Sequence, residues 1–527
     1  MTADDLTGRS ERELASRTGG SKPAVRRPAA GAPGAGRPVG VAGTALLTDH
    51  YELTMLRAAL RSGAAGRRAV FEVFARHLPH GRRYGVVAGT GRLLDALEQF
   101  RFGTDELEFL REAGVADDAT LRYLASYRFA GNIWGYAEGD CYFPGSPILV
   151  VEGTFAEACV LETLALSVLN HDCAIASAAS RMVIAADGRP LIEMGSRRTH
   201  EYAAVASARA AYIAGFATTS NLRAGHAYGV PTGGTSAHSF TLVHDSERQA
   251  FEAQVQSLGA GTTLLVDTYD VAAAVRAAVE VAGPGLGAVR IDSGDLPVVA
   301  RQVRSLLDSL GAERTRIVLT GDLDEYSIAA LAATPVDGYG VGTSLVTGSG
   351  VPTAALVYKL VARAGGHRDG GAAGGNRETA GGNRETAGGN RGADGGNRGA
   401  DGGNRGADGG NRGADGGNRG ADGGNATLLP VAKRSVGKPG RGGRKWAARP
   451  RDGEFAVAEL VMDSPPGPGD GRALLRELVR DGEIVGREPL DVARSRHRAA
   501  LAELPAHALR LSRGYPAIPT VFEPQSE

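Results

Sequence analysis

The residue types best suited to chemistry cluster in residues 229–240, where small side chains crowd the imidazole of His238. Gly233 and Gly234 allow a sharp backbone bend, and Thr235, Ser236 and Ser239 offer hydroxyl and amide donors to an anion. An imidazole in such a loop acts as a proton carrier or nucleophile, or else is a satisfied core side chain at a strand end. The run Asp292-Ser293-Gly294-Asp295 places two carboxylates around a turn. They suit Mg²⁺ held partly through water and substrate phosphate, and they equally suit hydrogen bonding inside the turn. In residues 340–344, Gly342, Thr343 and Ser344 offer amides and hydroxyls that can cradle a phosphate. Arg290 lies within an apolar run, where an unpaired guanidinium is costly, so it requires an anionic ligand or a structural carboxylate. Arg197 and Arg198, after Glu193-Met194-Gly195-Ser196, carry the same two readings. As a set, these groups suit a phosphorylated sugar.

The elements that must position them follow from periodicity. Residues 46–60 predict a helix capped by Thr48 or Asp49, residues 70–75 alternate as a strand, and residues 89–100 form an amphipathic helix. Glycines and Pro144 punctuate residues 129–151 as hairpins. Residues 154–169 predict a helix with Leu161, Leu164 and Val168 on one stripe. Beyond it, short apolar runs at 191–194, 264–267, 289–292, 317–320 and 338–342 alternate with helical stretches such as 296–310 and 324–333. That is the pattern of parallel β/α units with both faces covered. Several of these runs end in Asp, Ser, Thr or Gly, which gathers polar groups on one face of a β/α barrel or at the switch point of an open sheet. The pattern alone does not separate the two.

Composition removes other classes. Lys+Arg and Asp+Glu balance at 59 each among 527 residues, so overall charge points neither to nucleic acid nor to an anionic membrane. Three cysteines without paired or metal-ligand spacing fit a reducing cytoplasm, and no apolar run approaches the ~18–20 residues of a membrane helix. A cytoplasmic protein is expected. Residues 1–42 are rich in Arg, Ala, Gly and Pro and are expected to form an unstructured tail. A Gly-Gly-Asn-Arg heptapeptide repeat, with asparagines every seven residues from Asn376 to Asn425, lacks apolar a and d positions. It is expected to be an unstructured insertion over 363–425. There is no Gly-x-x-x-x-Gly-Lys-Ser/Thr loop, His-Glu-x-x-His or Gly-x-Ser-x-Gly.

Ten strings in order carry a resemblance: residues 47–55 (Leu-Thr-Asp-His-Tyr-Glu-Leu-Thr-Met), 71–74, Leu161-Glu162-Thr163, Arg197-Arg198, Thr219-Ser220-Asn221, 234–240 (Gly-Thr-Ser-Ala-His-Ser-Phe), Val266-Asp267-Thr268-Tyr269, 290–295, Gly342-Thr343-Ser344 and Lys433-Arg434-Ser435. Together they resemble the nicotinate phosphoribosyltransferase family over roughly 43–362 and 426–520. The resemblance implies an α/β protein: an irregular β/α barrel over 154–362, with a smaller α/β domain built from both ends of the chain, 43–153 and 426–527. It implies a homodimer that joins nicotinate to 5-phosphoribosyl 1-diphosphate, releasing diphosphate with coupled ATP hydrolysis, with Mg²⁺ as cofactor. It places the transiently phosphorylated histidine at His238, nicotinate contacts at Tyr51, Thr235 and Arg290, a phosphoribosyl diphosphate contact at Thr343 and a further site arginine at Arg197. Related nicotinamide enzymes carry an acidic residue near the position of Asn221, so a neutral Asn221 favours nicotinate. The rival readings are a nicotinamide or quinolinate transferase and a non-catalytic barrel that binds a phosphorylated metabolite.

Overall fold

Six parallel strands organise the site. In the computed structural model, which describes residues 43–365, 427–433 and 440–523, they pair in the order Thr218–Thr219, Leu191–Glu193, Gly338–Val341, Arg316–Leu319, Ala288–Ile291 and Thr263–Leu265. The expected tail at 1–42 and almost all of the 363–425 repeat lie outside the described residues. Every neighbouring pair is parallel. Taken along the chain, the order is cyclic: the first strand pairs with the second and with the last, as in a barrel, and not with a mid-sheet reversal as in a doubly wound sheet. One seam stays open, between Thr218–Thr219 and Thr263–Leu265. The glycine-rich stretch crosses that seam, beginning with an isolated parallel bridge from Thr219 to Thr232. The strands read as continuous apolar runs because helices cover them; Leu264, Val289, Ile291, Ile317, Leu319, Tyr339 and Val341 are all fully buried.

The second layer is a seven-stranded sheet in the order Leu428–Pro430, Leu356–Ala364, Arg68–Ala75, Leu149–Thr154, Asn132–Tyr136, Leu475–Arg480 and Glu483–Ile484. It draws on both ends of the chain, as expected of the smaller domain, and belongs with the barrel to one compact unit, Gly43–Glu527. Residues 356–362 were expected to belong to the barrel. They pair antiparallel with Arg68–Ala75 instead, because Leu356, Tyr358, Val361 and Ala362 bury their side chains in the core of this sheet. The helix expected over 154–169 is also redrawn. Thr154 and Glu157 close a capping box on a short helix, Phe155–Cys159, and a second helix, Glu162–Ala186, runs 25 residues. Its second half escapes a stripe analysis because it is buried nearly all round, with the Asp172 carboxylate neutralised by Arg92 at 2.7 Å.

Buried charges tie the C-terminal segment to the rest. The Arg449 side chain is fully buried and donates to Asp140 (3.0 Å), Glu459 (2.7 Å) and the Cys141 carbonyl (2.7 Å), while Arg472 bridges Asp140 to Glu503. Removing one partner from such a network strands a charge and costs about 3–5 kcal/mol.

On the helix Leu490–Ala502, the buried His497 donates from Nδ1 to the Gly139 carbonyl (3.0 Å) and accepts at Nε2 from the Ser180 hydroxyl (2.9 Å). Burial pushes its pKa down to about 4 from the ordinary 6.5. The unfolded chain therefore binds a proton that the folded one refuses, and stability present above pH 6.5 is lost as pH falls towards 4. The expected loss from this group is about 3 kcal/mol, and urea titrations should show a shallower fall for His497→Gln over that range.

Candidate active site

His238 opens the short helix His238–Leu242 at the far side of the seam. Its Nδ1 lies 3.2 Å from the Thr268 hydroxyl, and its Nε2 lies 3.9 Å from both Asp267 Oδ1 and Asp292 Oδ2. At that separation the carboxylates act by field and not by hydrogen bond. They favour positive charge on a ring that bonds to an electrophile at Nε2. Asp267 follows the strand Thr263–Leu265 and is nearly buried. Its Oδ2 accepts from the Asp292 amide (2.9 Å) and the Ser293 hydroxyl (2.7 Å), while Oδ1 is buried without a hydrogen-bond partner.

Arg290 stands on the neighbouring strand, Ala288–Ile291, with its side chain 11 % exposed. Nε donates to the Thr320 hydroxyl (3.0 Å), Nη1 to the Thr235 hydroxyl and the Ser236 carbonyl (3.1 Å), and Nη2 lies 3.4 Å from Asp292 Oδ1. The structural-carboxylate reading of this arginine is met by Asp292. A carboxylate balances its charge, and Nη2 keeps donor capacity for an anion. Asp292 in turn accepts from the Thr320 hydroxyl.

The remaining loops complete a ring. Met194 N donates to the Val341 carbonyl (2.8 Å), which lays the 194–198 loop against the glycine–threonine loop at 342–344. The approach is close: a Cβ on Gly340 would sit 2.5 Å from Thr320 Cγ2 and 2.7 Å from Met194 Sδ, and one on Gly195 would sit 2.2 Å from Val346 Cγ1. On the other side, Glu193 accepts from the Gly195 amide (2.5 Å) and the Thr219 hydroxyl, and the Gly233 amide donates to the Thr219 carbonyl (2.9 Å). Contacts thus run without a break from His238 through Asp267, Asp292, Thr320, Gly340, Met194, Glu193 and Thr219 to Gly233, and back along the glycine-rich loop.

The structure brings His238, Thr235, Arg290, Asp292, Asn221 and the Gly342–Ser344 loop onto this one rim. Gly342 precedes the first turn of Thr343–Val346; Thr343 is exposed, and the Ser344 carbonyl accepts from Ser349 N (2.6 Å). Arg197 and Arg198 are exposed and form no ion pair or side-chain hydrogen bond among the described residues. Asn221 caps the helix Leu222–Tyr228 by accepting from Ala224 N (2.9 Å), and its Nδ2 donates to the Ser196 hydroxyl (2.9 Å). Asp295, expected beside Asp292 at a cation, instead caps the helix Leu296–Ser309 by accepting from Val298 N (3.2 Å). Tyr51 shares no hydrogen bond with the rim; it stands by Glu162, Glu52 and Thr163, and the partial burial of its hydroxyl end together with those carboxylates pushes its pKa up to about 12. Glu193 was visible only as a polar residue at a strand end, while Asp267 and Thr268 stood in one of the strings that carry the resemblance, without a role assigned to them.

Among the described residues no three His, Cys, Asp or Glu side chains are grouped to hold a metal ion. The unpartnered Asp267 Oδ1 and the neighbouring Asp292 Oδ2 fit a hard cation that takes most of its ligands from phosphate and water.

Comparison with known proteins agrees with this fold. Residues 46–170 match the nicotinate phosphoribosyltransferase (NAPRTase) N-terminal domain. Over 513 residues the chain is 52% identical to nicotinate phosphoribosyltransferase pncB1 of Mycobacterium tuberculosis, covering 95% of this chain and 99% of that one. It is 36% identical to the nicotinate phosphoribosyltransferase of Bacillus subtilis over 60% of this chain and 66% of that one. In fold it is similar to the crystal structure of human nicotinic acid phosphoribosyltransferase, with a TM-score of 0.68 at 22% identity over 90% of this chain and 97% of that one. The chain belongs to the nicotinate phosphoribosyltransferase family.

Proposed function

We propose that this chain joins nicotinate to 5-phosphoribosyl 1-diphosphate, forming nicotinate mononucleotide and diphosphate in NAD biosynthesis, with coupled ATP hydrolysis. The observation that carries the reading is the single rim on which Arg290, His238 and the Gly342–Ser344 loop meet around one barrel mouth. In the reaction the pyridine nitrogen bonds to C1 of the ribose as the bond from C1 to the diphosphate oxygen breaks. Arg290 Nη2, with Thr235 fixed beside it, receives the pyridine carboxylate and sets the ring's orientation. Thr343, Ser344 and the Gly342 backbone receive the phosphorylated sugar, with Arg197 free to pair with its charge. His238 Nε2 bonds to the γ-phosphorus of ATP as the bond from that phosphorus to the β,γ-bridging oxygen breaks and ADP leaves; Asp267 and Asp292 favour the cationic ring that results, and water later takes the phosphoryl group from it as inorganic phosphate. Asp292, backed by Asp267, would hold Mg²⁺, which when bound neutralises phosphate charge.

A cytoplasmic homodimer belongs to the same reading. No helix among the described residues is long and apolar enough to cross a membrane. Leu242 and Val243 stand exposed beside the mouth, and Leu46, Leu47 and Tyr51 stand exposed on the other layer. A second copy would cover the first set with the second and bring Tyr51 to the nicotinate.

Purified protein with phosphoribosyl diphosphate and Mg²⁺, with and without ATP, is the test. Turnover of nicotinate in preference to nicotinamide or quinolinate is expected; turnover of nicotinamide alone, or of no pyridine, refutes the reading. His238→Ala is expected to abolish ATP stimulation and retain some ATP-independent synthesis. Undiminished stimulation in that variant would exclude the phosphohistidine.

A further inference from the structure

Glu193 ends the strand Leu191–Glu193 and is fully buried, yet no arginine or lysine pairs with it among the described residues. Its carboxylate makes two contacts, both to loops of the mouth. Oε1 accepts from the Gly195 amide at 2.5 Å, at the root of the loop that carries Ser196 and Arg197. Oε2 accepts from the Thr219 hydroxyl, whose oxygen in turn accepts from the Asn221 amide at 2.9 Å. The Glu193 carbonyl accepts from Ser220 N at 2.8 Å, and the Asn221 side chain returns to the Ser196 hydroxyl at 2.9 Å. The hydrogen bonds form a closed circuit through Glu193, Gly195, Ser196, Asn221 and Thr219.

A strand end that served packing alone would be cheaper to fill with an apolar side chain, because a buried carboxylate carries a desolvation cost. Burial indeed pushes the Glu193 carboxyl up from its ordinary range, against the pull of the Thr219 and Gly195 donors. What the carboxylate uniquely supplies is two acceptors at fixed spacing, one for each loop.

We infer that Glu193 is a positioning residue, which directly and through Thr219 locks the Arg197 and Asn221 loops into one rigid wall of the mouth, with Asn221 on the side of the pyridine and Arg197 on the side of the sugar phosphate. The inference rests on the functional reading above and deepens it. Glu193 touches no substrate; it sets where Asn221 and Arg197 stand, as supporting hydrogen bonds do around other sites.

The test uses the full chain and four variants: Thr219→Val, which keeps shape and removes the hydroxyl; Thr219→Ser, which restores it; Glu193→Gln; and the double variant of Thr219→Val with Glu193→Gln. Thr219→Val and Glu193→Gln are each expected to raise the nicotinate KM about tenfold, through Asn221, and the phosphoribosyl diphosphate KM by a smaller factor of about threefold, through Arg197. Thr219→Ser should recover most of the loss. The double variant should be no worse than either single one, since both break one circuit. Nicotinate KM unchanged in both single variants overturns the inference. So does a parallel fall in every kinetic parameter and in Tm, which would mark a purely structural role. If the unaltered chain turns over no nicotinate, the functional reading itself falls and takes the inference with it.

Discussion

Replacing Arg290 by alanine is expected to lower kcat/KM for nicotinate about a thousandfold. Three losses combine. The substrate carboxylate loses a charge-assisted donor, worth about 1.5–3 kcal/mol. Asp292, held 3.4 Å from the guanidinium, is left without a neighbouring cation. The Thr235 hydroxyl and Ser236 carbonyl lose the tether that fixes the loop leading to His238. About 4 kcal/mol in sum corresponds to three orders of magnitude. Arg290→Lys separates the contributions, because an ammonium keeps the charge but cannot reach Thr320, Thr235 and the Ser236 carbonyl from one planar fork. An intermediate loss of about a hundredfold is expected for it, borne mainly by the nicotinate KM. Steady-state kinetics with each substrate varied in turn would decide. Wild-type affinity for nicotinate in Arg290→Ala would mean that the carboxylate binds elsewhere.

The part of this site that was legible in the sequence is the part whose chemistry requires unusual residues at strand ends. An arginine inside the run Val289-Arg290-Ile291 and a histidine among glycines and hydroxyls stand out whatever the fold, because neither suits an apolar core. What was not legible depends on pairing between distant segments. Barrel and doubly wound sheet share the same local runs; only the pairing of Leu191–Glu193 with Gly338–Val341, closing the cyclic order, distinguishes them. Asp292 and Asp295 read alike, two carboxylates about one turn, and diverge because one faces Arg290 and the other a helix N-terminus. Glu193 stood inside the short apolar run 191–194 with nothing local to mark its role, and its meaning comes from Thr219, 26 residues on. Tyr51, carried over with the nicotinate contacts, forms no hydrogen bond to the rim of its own chain, since its helix packs within the other sheet layer. A resemblance transfers residues, while the geometry that unites them belongs to the assembled protein.

Substituting aspartate for Asn221 is expected to invert the choice between nicotinate and nicotinamide. Asn221 Oδ1 is committed to the cap on Leu222–Tyr228, so the amide group must point outward, where Nδ2 donates to Ser196 and retains a second hydrogen. That hydrogen suits a carboxylate. Aspartate caps a helix as well as asparagine does, so the fold around residue 221 is conserved and Tm should move by no more than about 2 °C. Its second oxygen, however, can only accept. It would take the Ser196 hydroxyl as donor, repel the nicotinate carboxylate and receive a hydrogen bond from the amide of nicotinamide. Loss of a good donor and gain of a like-charge contact together amount to about 3–4 kcal/mol against nicotinate, and the new acceptor adds about 1 kcal/mol for nicotinamide. The ratio of kcat/KM for the two pyridines should therefore shift by about 10³ towards nicotinamide, measured by competition in one reaction mixture. An unchanged ratio in a folded Asn221→Asp protein would show that the side chain at 221 does not face the substituent that distinguishes the two pyridines, and selectivity would then rest on Arg290 alone.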